Sequence, residues 1–203
     1  MDVVLTALSH FVINTISSMG YLGVTLLMGI ESSNIPLPSE VIMPFSGFLV
    51  FQGRFTLIGI ALAGGLGCLL GSWLSYWVGY KGGRPLIERW GRYILISKHD
   101  LDLADKWFSK YGVFAAFIGR LLPVIRTFIS FPAGISKVNF WKFSAYTFVG
   151  SVIWSYFLGW IGYKLGENWE SLKGYFHKFD YAIVAIILIG IAYYIYRHIK
   201  NSK

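Results

Sequence analysis

The chain is 203 residues long, 55% hydrophobic and only 14% charged, with a formal net charge of +8. Ordinary soluble domains carry roughly 25% charged residues, so this composition argues against a water-soluble fold. The bases stand at the edges of long apolar runs rather than in one patch, which points away from nucleic acid and toward a membrane surface rich in anionic lipid.

In chain order, residues 3–19 predict a first helix that crosses the membrane or lies in its interface. His10 is the lone histidine, acid or base from Val3 to Ile30. Residues 20–50 begin apolar and then break at Glu31-Ser-Ser-Asn-Ile-Pro-Leu-Pro-Ser-Glu40. No acid or base occurs between Arg54 and Lys81, and 56–80 predicts a glycine-rich spanning helix. At about 1.5 Å per residue, roughly 20 apolar residues cross the hydrocarbon core. Cys68, the only cysteine, falls inside that run as a small packing residue. Gly67 and Gly71 there form a small-xxx-small pair suited to close helix approach.

Residues 81–110 hold seven Lys or Arg and four acids. Ser97 with Asp100 reads as a capping box, and Leu101, Ala104, Trp107, Phe108 and Tyr111 as one apolar face of a surface helix. Residues 111–136 repeat the earlier theme, an apolar lead broken at Arg120-Leu-Leu-Pro123 and again near Pro132. Residues 141–163 span, 164–180 form a polar loop, and a last transmembrane helix (181–199) runs into the basic tail. Trp73, Trp77, Tyr80, Trp154, Trp160 and Tyr163 read as packing or interface anchors.

The broken segments align as copies. Superposing Gly79-Tyr80-Lys81 on Gly162-Tyr163-Lys164 also superposes Gly67 on Gly150 and Ser72 on Ser155. Superposing Gly47 on Gly134 brings Glu40 beside Arg126 and Glu31 close to Arg120. The tail (Arg197, Lys200, Lys203) carries bases and no acid, so it belongs in the cytoplasm. Counting crossings backward puts the halves 20–80 and 111–166 in opposite orientations, the arrangement on which alternating access is built. The expected fold is therefore all-α and polytopic, with two opposed re-entrant helical hairpins in inverted repeats.

An ionisable side chain at membrane depth costs at least about 2.5–3.5 kcal/mol on insertion scales. Glu31, Glu40, Arg120 and Arg126 sit in just the segments that Pro36, Pro38 and Pro123 break, with Gly47 and Gly134 as further hairpin-breaking positions. Irregular backbone at such depth needs protein or a watery cavity around it. Arginine binds phosphate with a two-pronged fork and keeps its charge, so Arg120 and Arg126 suit an anionic head group. Thr127 and Ser33 can add hydroxyl donors. Carboxyl groups in low dielectric can load and release protons near neutrality, which marks Glu31 and Glu40 for proton coupling. Purely structural ion pairs, Glu31 with Arg120 and Glu40 with Arg126, remain the plain alternative.

At this point a resemblance can be stated. The Glu31-to-Glu40 stretch followed by Gly47 resembles the first signature of the DedA membrane proteins, the SNARE-associated or VTT-domain family. Gly119-Arg120-Leu-Leu-Pro123-Val-Ile-Arg126-Thr127, with Ala133-Gly134 behind it, resembles the second. The likeness covers roughly residues 15–165. Ser39 before Glu40 and Val138 depart from the family pattern, the former at a position bearing on which lipid is accepted. The resemblance implies a bacterial cytoplasmic-membrane protein that moves lipid across the bilayer with protons, undecaprenyl phosphate first and phosphatidylethanolamine second, through Glu31, Glu40, Arg120 and Arg126. It implies no enzyme activity, no metal or cofactor and no nucleic acid, and it leaves a homodimer open. Two other functions compete on the residues alone. A proton-coupled antiporter for a small cation would use the same carboxylates. A lipid-phosphate enzyme would need a nucleophile with its base, or metal ligands, and His10, His99, His177 and His198 all lie outside the broken motifs.

Overall fold

The computed structural model describes residues 2–35, 37–94, 106–108, 110–122 and 125–166. It is helical throughout, with no strand among the described residues. The order is α1 (Asp2–Met19), α2 (Tyr21–Ser32), α3 (Ser39–Phe51), α4 (Leu57–Ile94), α5 (Phe114–Arg120), α6 (Ser130–Ile135) and α7 (Phe140–Leu165). Residues 97–104 of the predicted surface segment, 167–180 of the predicted loop and the helix 181–199 lie outside the described residues, and α7 takes in Lys164 and Leu165 at the start of that loop.

The breaks expected after Glu31 and Arg120 are present, whereas Pro132, where a further break is expected, lies inside α6. The first is the end of α2: Asn34 takes φ 67°, a left-handed conformation that asparagine tolerates better than most residues. Ser75 of α4 pins this turn, donating to the Ser32 carbonyl at 3.2 Å and to Asn34 Oδ1 at 3.0 Å. A carbonyl freed at the helix end thus gains a partner. Pro38 caps α3, its carbonyl accepting from Val41 and Ile42 at 3.0 and 3.2 Å. The second break shows turns at residues 121–122 and 125–129, with backbone bonds including Arg126 N–H to Leu122 O at 3.0 Å.

Helix α4 differs from expectation at its end. It continues for 38 residues to Ile94 rather than stopping at 80. Its apolar part, Leu57–Gly82, is the one stretch among the described residues long and apolar enough to cross a membrane. Lys81 ends the hydrophobic stretch without ending the helix, because a charge satisfied by water does not interrupt backbone hydrogen bonding. Further along, Phe108 is buried with Tyr76, Ala115, Ala116, Ile129, Ala133 and Phe143, and Trp107 packs against that cluster. These two side chains therefore cover the second break instead of resting on a surface.

The patterning is inside out. Helix α4 exposes Ile58, Leu62, Leu66, Leu70 and Leu74, one residue per helical turn, while Cys68, Ser72 and Ser75 are buried. Helix α7 exposes Val149, Ile153, Tyr156 and Phe157 and buries Thr147, Ser151 and Ser155. A water-facing surface would not present such continuous apolar stripes, whereas hydrocarbon surroundings favour them.

Glycine sets the closest crossings. Gly67 and Gly71 of α4 lie against the carbonyls of Thr25 and Gly29 of α2. Gly47 of α3 lies against Gly159 O and Tyr163 N of α7, and Gly162 answers it against Pro44 O. Gly134 of α6 lies in the same way against Tyr76 O and Tyr80 N of α4, and Gly79 against Phe131 O. Gly47 and Gly134 thus sit inside helices, at crossings with no room for a side chain. They do not break the hairpins, which corrects the role the sequence suggested. Gly134→Ala puts a methyl group into backbone and is expected to lower stability by about 1–3 kcal/mol or more, measured as the unfolding midpoint in detergent.

Candidate functional site

Three acidic or basic side chains are buried among the described residues, Glu31, Arg120 and Arg126, at 3%, 1% and 2% exposure. Glu31 stands one residue before the end of α2, Arg120 is the last residue of α5, and Arg126 lies in the turns that follow. The two breaks therefore bring these charges together.

Arg126 Nη2 and Glu31 Oε2 form an ion pair at 2.8 Å. Thr127 Oγ1 donates to the other carboxylate oxygen at 3.4 Å, so Glu31 is held from both sides. Arg126 Nη2 also approaches Cys68 Sγ at 3.8 Å, and its guanidinium lies over the Trp154 ring at 5.4 Å. Nε and Nη1 of Arg126 have no partner.

Arg120 is bound by hydroxyls alone. Its Nη2 donates to Ser72 Oγ of α4 and to Ser130 Oγ of α6, and its Nη1 reaches Ser32 Oγ of α2 at 3.5 Å. Ser72 passes its own proton to the Cys68 carbonyl. Arg120 Nε is unpartnered. Ser72 and Ser130 are arginine partners that the sequence reading does not identify. Their signal is a hydroxyl set in a largely apolar run.

The expected pairing needs correction. Arg126, not Arg120, meets Glu31, and Glu40 meets neither arginine. Glu40 is exposed in the first turn of α3, with Ser39 Oγ at 3.3 Å from its Oε2. Adjacent helical residues point about 100° apart, so Ser39 turns inward, 1% exposed, and Glu40 turns out. Ser33, expected to bind phosphate, donates instead to Gly29 O at 2.8 Å. Pro36 and Pro123 lie outside the described residues.

Electrostatically the cluster is incomplete. Two guanidinium groups face one carboxylate, leaving a buried positive charge that only neutral hydroxyls solvate. Burying an uncompensated charge is strongly unfavourable. An anion entering between the arginines would supply the missing charge and take up the idle N–H groups, which is the chemistry of a head-group phosphate. Among the described residues no three of His, Cys, Asp or Glu gather to hold a metal ion.

Comparison with known proteins adds the family. The model of the VTT domain matches residues 37–164. An uncharacterized membrane protein YkoX of Bacillus subtilis is 42% identical, over 87% of this chain and 80% of its own. Undecaprenyl phosphate transporter A of the same organism is 33% identical over 90% of each. An alkaline phosphatase-like protein of Lactococcus lactis is 34% identical, over 92% of this chain and 88% of its own. No solved structure matches.

Proposed function

We propose that this chain, which belongs to the VTT domain (DedA) family, moves a lipid bearing a phosphate head group across the bacterial cytoplasmic membrane, with undecaprenyl phosphate as its cargo. The observation that carries this reading is the buried Arg120–Arg126–Glu31 cluster, one anion short of neutrality. A relative named as an undecaprenyl phosphate transporter, similar along nine-tenths of the chain, supports the same cargo.

The glycine contacts support an inverted repeat. Counted from the paired glycines, Gly47 of α3 on α7 and Gly134 of α6 on α4 make the same contacts: Gly159 corresponds to Tyr76, Tyr163 to Tyr80, and Pro44 to Phe131. On this reading the arms α2–α3 and α5–α6 are hairpins that enter from opposite faces and meet at the charges. The basic tail faces the cytoplasm. The cluster is reached alternately from either side.

Glu40 fits the other end of the proton path. Exposed at the start of α3, it can exchange protons with water, whereas Glu31 cannot do so without movement. Glu40→Gln is expected to leave the unfolding temperature unchanged and to flatten the dependence of transport on a pH gradient.

The deciding experiment follows labelled undecaprenyl phosphate and phosphatidylethanolamine between the leaflets of vesicles containing the purified protein. Faster movement of the former is expected. Movement of neither, or release of inorganic phosphate from the lipid, would overturn the reading, the second in favour of a hydrolase.

A further inference from the structure

The inner face of α7 carries four polar groups without partners. Thr147 Oγ1, Ser151 Oγ and Ser155 Oγ are buried at 0%, 3% and 0% exposure, and none makes a hydrogen bond. Trp154 Nε1, half-buried, is also unpartnered. Positions 147, 151, 154 and 155 repeat at the three- and four-residue spacing that places side chains on one helical face.

Unbonded serine is unusual in such a place. A serine or threonine hydroxyl in a helix can donate to the carbonyl four residues back. Ser46, Ser72 and Ser144 of this chain do so. Ser144, one turn before Thr147, also accepts from Trp73 Nε1 at 2.9 Å. Its neighbours along the stripe make neither kind of bond, so their capacity is held in reserve.

The same stretch of α7 meets both arginines at Gly150 and Trp154. Gly150 lets α7 approach until a methyl group there would stand 3.0 Å from Arg120 Cβ. One turn on, the Trp154 ring lies under the Arg126 guanidinium at 5.4 Å. Nε of Arg120 and Nε and Nη1 of Arg126 are likewise buried and unpartnered among the described residues.

We infer that Thr147, Ser151, Trp154 and Ser155 of α7 form the second wall of the head-group site, donating to the phosphate oxygens that Arg120 and Arg126 attract. This rests on the lipid-phosphate reading above. All the unpartnered atoms, on both walls, can donate, and the one buried carboxylate is already engaged by Arg126 and Thr127. Such a donor-rich lining suits a phosphomonoester, whose three terminal oxygens accept. It offers hydroxyls but no free carboxylate to the ammonium of a phosphodiester head group. Helix α7 thereby becomes a selectivity element as well as a membrane span.

The test separates binding from transport. Farnesyl phosphate, a short isoprenyl monophosphate, is titrated against the detergent-solubilised protein with the unfolding temperature as readout, beside farnesol and inorganic phosphate. The wild type is expected to be stabilised by farnesyl phosphate and not by farnesol. Ser151→Ala/Ser155→Ala should fold with an unchanged or higher unfolding temperature, since no bond is lost, yet weaken apparent affinity about tenfold. Trp154→Phe, which keeps the ring and removes the N–H, should weaken it several-fold. Ser144→Ala should lower the unfolding temperature and leave affinity unchanged. Wild-type affinity in the double variant would overturn the inference even if transport proceeds. Absence of binding to the wild type would overturn it too. Binding that needs the hydroxyls, in a protein that moves no lipid across vesicles, would sustain the inference while the translocation reading fails.

Discussion

Arg126→Ala is expected to lower transfer of the lipid phosphate by about 100-fold or more in reconstituted vesicles. The guanidinium is the one group that joins the buried carboxylate, the Trp154 ring and two free N–H donors. A charge-assisted hydrogen bond contributes about 1.5–3 kcal/mol, and two such bonds to a bound anion exceed what a 100-fold change requires. The alanine variant also strands Glu31, and breaking a buried pair from one side destabilises by about 3–5 kcal/mol. Folding and function are separated by the double variant Glu31→Gln/Arg126→Ala. It should recover most of the unfolding temperature and none of the transport. Recovery of transport would show that the pair is structural.

Glu31→Gln is the complementary case. It keeps the shape of the side chain and removes its negative charge, so two buried guanidinium groups face each other with only hydroxyls between them. Destabilisation by about 3–5 kcal/mol is expected, together with loss of any dependence of transport on the pH gradient. An anion should bind this variant more tightly than the wild type, because it meets more uncompensated positive charge. A wild-type response to the gradient in Glu31→Gln would remove Glu31 from the proton path.

Much of this was legible in the sequence. Charge-free runs give the long helices, and clustered Pro, Gly and charge give both breaks, because a charge in an apolar run needs a reason to be there. Residue types alone identify Arg120, Arg126 and Glu31 as the cluster. Their pairing was not legible, since it depends on which way each side chain leaves its helix. Glu40 shows this best: one step from the buried Ser39, it lies in the exposed part of the same turn. Gly47 and Gly134 were recognisable as special, but a glycine needed for close approach and a glycine needed for a bend look alike in one dimension. From sequence Trp154 reads as a packing or interface anchor, a common role of tryptophan in membrane helices. Only the three-dimensional contact sets its ring against a guanidinium.

The glycine crossings have a mechanical consequence. With backbone lying on backbone at Gly47 and Gly162, α3 has no clearance from α7, and the same holds for α6 and α4 at Gly134 and Gly79. Displacing either long helix by as little as the radius of a methyl group drags its short companion along. Slippage is therefore confined to surfaces padded by side chains, and α3 with α7, like α6 with α4, shifts as one meshed unit.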